Sequence, residues 1–508
     1  MKSISFAFSE NEFWYGLAAA MGTQFPLSAR SRFSFRQTDP NRTTGNQEAS
    51  FLVSSAGRYL YSGAPFDIEV ADGVISVSNA ADDLVLADGF GTLKGAYLAA
   101  SAKHFPPART MPPEDFFVKP QYNTWAELIY DQSQDSILHY ARGILENGLP
   151  AGILMIDDGW MSYYGSRLFR SDRFSDPAAM FGELHRMGFL AMLWVCPFIS
   201  PDSPEFRELS ASDLLVKNAD GSVAVRNWWN GFSAILDLSN PAAAEWFDGY
   251  LGDLMRLGAD GFKFDAGDVR YYRDDDLTFG RVTAHEQCRL WCELGLKYPY
   301  NEFRVSWNVG GLPLVERLCD KAHRWESVPR LIPDALADGI LGYPYCCPDM
   351  IGGGSFTDFL PGAPSLKPEL FARYAEVAAL MPMMQYSAAP WRVLDAEHAE
   401  ICRAMGRLHT EFAGKILSLA KHAAETGEPV MRYLEYEFPG EGFEETKDCF
   451  LLGPDVLVAP VLCDGARERT VRLPSGRWES PDGTVYAGGH EITVPAPVGV
   501  LPYFVKAE

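Results

Sequence analysis

Between about residues 120 and 425, short apolar runs alternate with helical patterns, and this constrains the fold more than any other feature of the sequence. Seven runs are plain: AGILMIDD (151–158), FLAMLWVCP (189–197), GFKFDAGD (261–268), FRVSWNVG (303–310), LVERLCDK (314–321), LGYPYCCPD (341–349) and LMPMMQYS (380–387). An eighth lies near Tyr122–Trp125. Runs that are continuously apolar, rather than alternating, suit strands buried on both faces, as in parallel sheets. About eight strand–helix units over roughly 300 residues predict a (β/α)8 TIM barrel.

The flanks read differently. Up to about residue 105 the runs are short and alternating, as in Ser50–Ser54 and Phe66–Val70, with Gly, Asp and Asn turns between them. Pro106, Pro107, Pro112, Pro113 and Pro120 follow, a density that excludes a helix or a central strand and marks a linker. After about residue 428 the strand pattern returns, with turns at Pro474-Ser475-Gly476 and Pro481-Asp482-Gly483. The expected chain is thus multidomain α/β: an N-terminal β-sandwich-like domain over 1–115, the catalytic barrel over 116–427 and a C-terminal all-β sandwich over 428–508.

Composition excludes some functions. Forty-four Lys and Arg against 67 Asp and Glu give a net charge of −23, which disfavours nucleic acid and anionic membrane as main partners. No apolar run reaches the length of a membrane span, and Glu10 and Glu12 break any leader-like stretch at the N-terminus. Nine scattered cysteines, with no CxxC pair, read as reduced thiols, and the expected location is cytoplasmic.

Acidic residues end the apolar runs: Asp157 and Asp158, Asp265 and Asp268, Asp320, and Asp349. One such Asp is ordinarily a helix cap or loop carboxylate. Several converging on the C-terminal mouth of a barrel, where catalytic groups sit, point to glycoside hydrolysis by paired carboxylates. A divalent metal site is the competing use of the same residues.

Four segments carry a resemblance. Gly261–Asp268 resembles the nucleophile segment of glycoside hydrolase family 31, the retaining α-glucosidase and α-xylosidase family. Cys319-Asp320-Lys321, with Trp325 five residues after Asp320, resembles its acid/base segment. Pro348–Gly353 resembles its sugar-binding D-I-G-G segment, and Leu452–Val461 the stretch that opens its C-terminal β-domain. Ile156–Trp160, Pro348–Gly353 and Met384–Trp391 resemble the branch that contains the myogenesis-regulating glycosidase, associated with α-galactoside hydrolysis. Three departures stand out. Met383–Tyr386 replaces an R-x-H segment common in the family's α-glucosidases, Cys319-Asp320-Lys321 replaces G-D-N, and Asp268 stands where Glu is frequent.

The resemblance implies a retaining, exo-acting hydrolase of a terminal α-linked hexose, α-D-galactose first, with α-glucoside, α-xyloside or a modified hexose as alternatives. It implies Asp265 as nucleophile and Asp320 as acid/base, about 5–5.5 Å apart, with Asp265 ionised and Asp320 protonated near neutrality. Lys263, two residues before Asp265, faces the same mouth by strand alternation and holds Asp265 ionised, binds a hydroxyl or forms a structural ion pair. Arg304 binds hydroxyls, orients a carboxylate or is structural. Asp157, Asp158 and Asp349 accept from ring hydroxyls. Trp160 and Trp194 form a hydrophobic wall or belong to the core, and Trp325 completes the acid/base segment. Glu12–Gly16 resembles a segment that reaches the site from the β-domain. No metal or organic cofactor is implied. The implied partner is a glycoside or small oligosaccharide, with no nucleic acid and no membrane; a homo-oligomer is left open. Rival readings are a catalytically inactive carbohydrate-binding protein and a metal-dependent lyase or isomerase on the same barrel.

Overall fold

The computed structural model describes residues 2–363 and 366–507. Its centre is a parallel eight-stranded sheet: β1 Gln121–Asn123, β2 Ile153–Ile156, β3 Leu190–Val195, β4 Gly261–Phe264, β5 Tyr300–Phe303, β6 Val315–Arg317, β7 Cys346–Cys347 and β8 Gln385–Tyr386. The strands neighbour one another in chain order, and β8 pairs back onto β1. A bridge between Met350 and Gln385 brings the two ends of the sheet together, so the barrel is nearly closed. β2 is buried at all four positions, which is why its run is apolar rather than alternating.

All eight anticipated runs contribute a barrel strand. The fifth is corrected in detail: its barrel part ends at Phe303, and Ser306–Trp307 pairs instead with Gln47–Glu48 of the N-terminal domain. The chain leaves the barrel at Arg304, so this residue sits on the rim.

The N-terminal region holds a four-stranded sheet and a second sheet built around the long buried strand Gln47–Ser54. Its own core includes Trp14, Phe25, Phe66 and Val77. Leu93–His104 is a helix capped by the Thr92 hydroxyl, which the β-only reading of this region missed. A short helix, Asp115–Val118, also follows Pro113 within the stretch read as a non-helical linker, because the prolines stop just short of it. After β3 the chain makes a three-stranded antiparallel excursion whose hairpin, Val225–Trp228 with Gly231–Ile235, turns at Trp229 and Asn230.

The 31-residue helix Ala396–Thr426 closes the barrel region and ends at Gly427, whose φ of 78° suits a residue without a Cβ. Beyond it lie a six-stranded sheet and a two-stranded one around Trp478 and Phe504. Among the described residues, no helix is long and apolar enough to cross a membrane.

Candidate active site

A cavity of about 610 Å³ opens at the C-terminal ends of the barrel strands. The strand-end carboxylates reach it because each follows its strand within a few residues. Asp157 and Asp158 follow β2, Asp265 follows β4, and Asp320 lies three residues past β6.

Asp265 is nearly buried and fully engaged. Trp194 Nε1 donates to its Oδ2 at 2.8 Å. Arg304 Nε donates to Oδ1 at 2.6 Å, and the Ala266 amide donates to the same oxygen at 2.7 Å. Ala266 adopts a left-handed φ of 56°, and this turn folds its own amide back onto the carboxylate. Burial pushes the Asp265 carboxyl up, but the charges of Arg304, Lys263 and Arg317 outweigh it and hold the group well below the usual carboxylate range. Arg304 is itself fixed: its Nη2 donates to Asp268 Oδ2 at 2.6 Å, and its guanidinium lies 5.2 Å from the Trp229 ring centroid. Asp268 is therefore a buried anchor for Arg304 rather than a cavity carboxylate.

Asp320 differs. Its side chain is 42% exposed, and Arg317 Nη1 donates to its Oδ1 at 2.7 Å. Burial of the surrounding site raises this carboxyl, but Arg317 and then Lys263 prevail and lower it. Against the expectation of a protonated Asp320 near neutrality, the guanidinium three residues upstream lowers this carboxyl, a neighbour that the reading of the run LVERLCDK left out. Arg317 Nη1 also lies 3.6 Å from Asp349. Asp349 is pushed up to about 7, first by burial and then by the charge of Asp320.

Asp349 is also a correction. It does not line the cavity: its side chain is completely buried and accepts from the Lys321 amide at 2.8 Å, the Met350 amide at 2.7 Å and the Tyr374 hydroxyl at 3.2 Å. Its φ of 148° is unusual for a non-glycine residue. It supports the Asp320 side of the site from beneath.

Lys263 lines the cavity and donates to Asp157 Oδ2 at 2.6 Å, so the ion-pair reading and the charge-holding reading both apply. Asp158 accepts from Asn230 Nδ2 and, at 3.2 Å, from the Tyr164 hydroxyl. Burial, then the neighbouring Asp157, pushes Asp158 up to about 7. Trp194 lines the cavity as expected. Trp160 does not: it is fully buried, packs in a tilted arrangement against Phe169 with centroids 4.5 Å apart and donates to the Trp194 carbonyl at 2.9 Å. Trp325 likewise packs against the core outside the cavity. Both tryptophans are corrections with one cause, since an apolar ring near a strand end can fill the layer behind the mouth as well as face it.

The segment Glu12–Gly16 does not reach the mouth. Glu12 is held by Arg58, and Trp14 lies in the N-terminal domain's own core. The residues that reach the cavity from that domain are Thr44 and Gly45, with Asn46 Nδ2 donating to the Arg304 carbonyl at 2.6 Å. Sequence reading also missed Arg317, Trp229 and the aromatic edge formed by Trp125, Tyr130 and Phe356. For Arg317 a signal existed, because charged residues inside a parallel barrel strand are costly to bury and are retained for a reason.

Three of the carboxylates have an intrinsic cation: Asp265 with Arg304, Asp157 with Lys263, and Asp320 with Arg317. The arrangement is suited to placing one fixed anion and one solvent-reachable carboxyl around a bound polar ligand.

Comparison with known proteins agrees with this architecture. A model of the glycosyl hydrolases family 31 TIM-barrel domain matches residues 114–300, and one of the family 31 C-terminal domain matches residues 427–508. The chain is 35% identical over 396 residues to the myogenesis-regulating glycosidase of Mus musculus, covering 76% of this chain and 55% of that protein. It is 25% identical over 412 residues to alpha-glucosidase 2 of Bacillus thermoamyloliquefaciens, covering 74% and 51%. The chain thus spans about half the length of these relatives. A Flavobacterium johnsoniae family 31 dextranase complexed with glucose superposes with a TM-score of 0.86 at 21% identity, covering 99% of this chain and 66% of the other. By these matches, and by the order of its motifs, the chain belongs to glycoside hydrolase family 31.

Proposed function

We propose that the protein is a retaining, exo-acting α-glycoside hydrolase, with Asp265 as nucleophile, Asp320 as acid/base and a terminal α-D-galactoside as first-choice substrate. The observation that carries this reading is the contrast between the two carboxyls of one cavity. Asp265 is fixed by three donors and kept anionic, as a nucleophile at an anomeric carbon must be. Asp320 is open to the cavity and to solvent, as a proton carrier must be.

Asp265 attacks the anomeric carbon while Asp320 gives its proton to the departing oxygen, leaving a β-glycosyl ester. Asp320, now a carboxylate, takes a proton from water, which attacks the same carbon and frees Asp265; two inversions give net retention. The first step needs Asp320 protonated. A sugar filling the cavity strips water from its exposed carboxyl, which raises its pKa. Asp349 lies across Arg317 from it, 3.6 Å from the Nη1 that donates to Asp320, so the two carboxyls share one guanidinium. Asp157, Asp158 and Lys263 bind ring hydroxyls and Trp194 covers an apolar face of the ring in this reading, which their shared position in the cavity wall supports.

Among the described residues, no histidine lines the cavity. Gln385, in the segment that replaces R-x-H, is buried and donates to Glu302 at 3.0 Å. The histidine that contacts sugar hydroxyls in α-glucosidases of the family thus has no counterpart here, which favours the α-galactoside reading over a plain α-glucosidase. The test is a panel of p-nitrophenyl α-glycosides with Asp265→Asn as control. Turnover of the galactoside alone, lost in the variant, is the expected result. Turnover of the glucoside or xyloside instead would overturn the sugar but keep the mechanism, and no turnover of any would favour the inactive sugar-binding reading.

A further inference from the structure

We infer that this site takes glycosides whose aglycone, the part beyond the cleaved bond, carries an anionic group, held by Arg36 and Arg42 in a second cavity beside the first. The inference rests on the glycosidase reading above and adds the chemical class of the leaving group.

The second cavity, of about 600 Å³, lies in the N-terminal domain and has Thr44 in common with the catalytic one. The passage an aglycone would take between them, past Thr44, is bordered by contiguous pieces of chain. The turn Pro40–Arg42 packs against the turn Val269–Tyr271 that follows the nucleophile strand. A Cβ on Gly45 would stand 2.7 Å from Asp268 Oδ1 and 3.4 Å from the Arg270 guanidinium carbon, so the Asp268–Arg270 ion pair covers the backbone beside Thr44. An aglycone leaving the catalytic cavity past Thr44 therefore runs from Arg270 towards Arg42 and Arg36.

The charge of this passage is unusual for a chain of net charge −23. Arg36 is exposed and forms no ion pair among the described residues. Arg42 reaches Asp39 only at 3.9 Å, with 70% of its side chain exposed, a geometry that contributes little and leaves the guanidinium available. Of the carboxyls nearby, Glu48 accepts from the Thr44 amide and is pushed up to about 7 by burial, and two others are already engaged. Asp67, opposite Arg36, accepts from the Thr38 hydroxyl at 2.7 Å and from Asn79 at 2.8 Å. Asp268 is bound by Arg304 and by Arg270. The remaining walls, such as Gln24, Ser34 and Met21, offer polar and apolar contact without a carboxylate. Planar guanidiniums facing an open cavity suit a carboxylate, sulfate or phosphate.

The test uses calorimetric binding to full-length Asp265→Asn, which cannot turn over its ligand. The probes are 4-carboxyphenyl α-D-galactoside and α-D-glucoside, with the neutral 4-carbamoylphenyl glycosides as isosteres. The carboxylate is expected to bind about tenfold tighter than the amide. The preference should vanish in Asp265→Asn carrying Arg36→Gln and Arg42→Gln, and shrink in about 0.5 M salt as screening sets in. Equal binding of the two probes, no binding of the carboxylate, or a preference that survives the double Gln change overturns the inference. Wild-type enzyme that releases no phenol from any of the four, with the charge preference intact, breaks the glycosidase reading alone.

Discussion

The two halves of the catalytic mouth solve opposite problems. On the β4–β5 side, Asp265 has three donors on its two oxygens, and Arg304 is itself locked by Asp268. On the β6–β7 side, Asp320 is held by one guanidinium and 42% exposed, with Asp349 behind it near 7. The first half is preorganised for a charge that must be present before substrate arrives. The second leaves a proton free to move and lets cavity occupancy decide where it sits. Both carboxyls are held low, Asp265 chiefly by Arg304 and Asp320 by Arg317, so their access to solvent and to a second acid separates their roles.

The largest test of this contrast is Asp265→Asn, which should cost roughly 10⁴-fold or more in kcat on any substrate, whatever its leaving group. Asp320→Asn should cost about 10²–10⁴-fold, and the loss should depend on the aglycone. An activated p-nitrophenol needs little protonation and should lose least, whereas an alkyl glycoside should lose most. Equal losses on both substrates would contradict the division of roles. Trp194→Phe removes one donor to a charged carboxylate and should lower kcat by about 10- to 100-fold. Trp160→Phe, behind the mouth, should leave KM and kcat near wild type while lowering Tm; steady-state kinetics and a melting curve separate the two tryptophans.

The smallest effect concerns stability. Asp158 is raised to about 7 in the fold, against an ordinary value near 3.8. Between these values the native state holds a proton that the unfolded chain has released. Stability from this group is therefore full below about pH 4 and is lost as pH rises through 7. Asp158→Asn, which mimics the neutral acid, should flatten the fall in Tm between pH 5 and 8. An unchanged slope would mean that Asp158 is ionised in the folded protein.

The barrel was legible because its eight runs must be apolar on both faces, and Asp265 because it ends the run GFKFDAGD. What sequence could not deliver was depth. Trp160 and Asp349 stand near strand ends in the same way as Trp194 and Asp157, yet they are buried outside the cavity, and Trp325, farther along its loop, packs half-buried against the core. Strand periodicity tells which way a side chain points along a run, but not whether the irregular turn after it rises or dips. Thr44 and Gly45 were invisible for another reason, since Gly45 lies 259 residues from the Arg304 it contacts. Arg317 was readable in principle, as a charge in a buried strand, and its neglect left out the guanidinium that lowers the Asp320 carboxyl.

Double displacement through Asp265, with Asp320 as the proton carrier, fixes the stereochemistry of the product. Proton NMR of the hexose first released from a p-nitrophenyl α-glycoside reads it. The α-anomer is expected at early times, followed by slow mutarotation to the equilibrium mixture. Initial release of the β-anomer would show single displacement and contradict a covalent intermediate on Asp265.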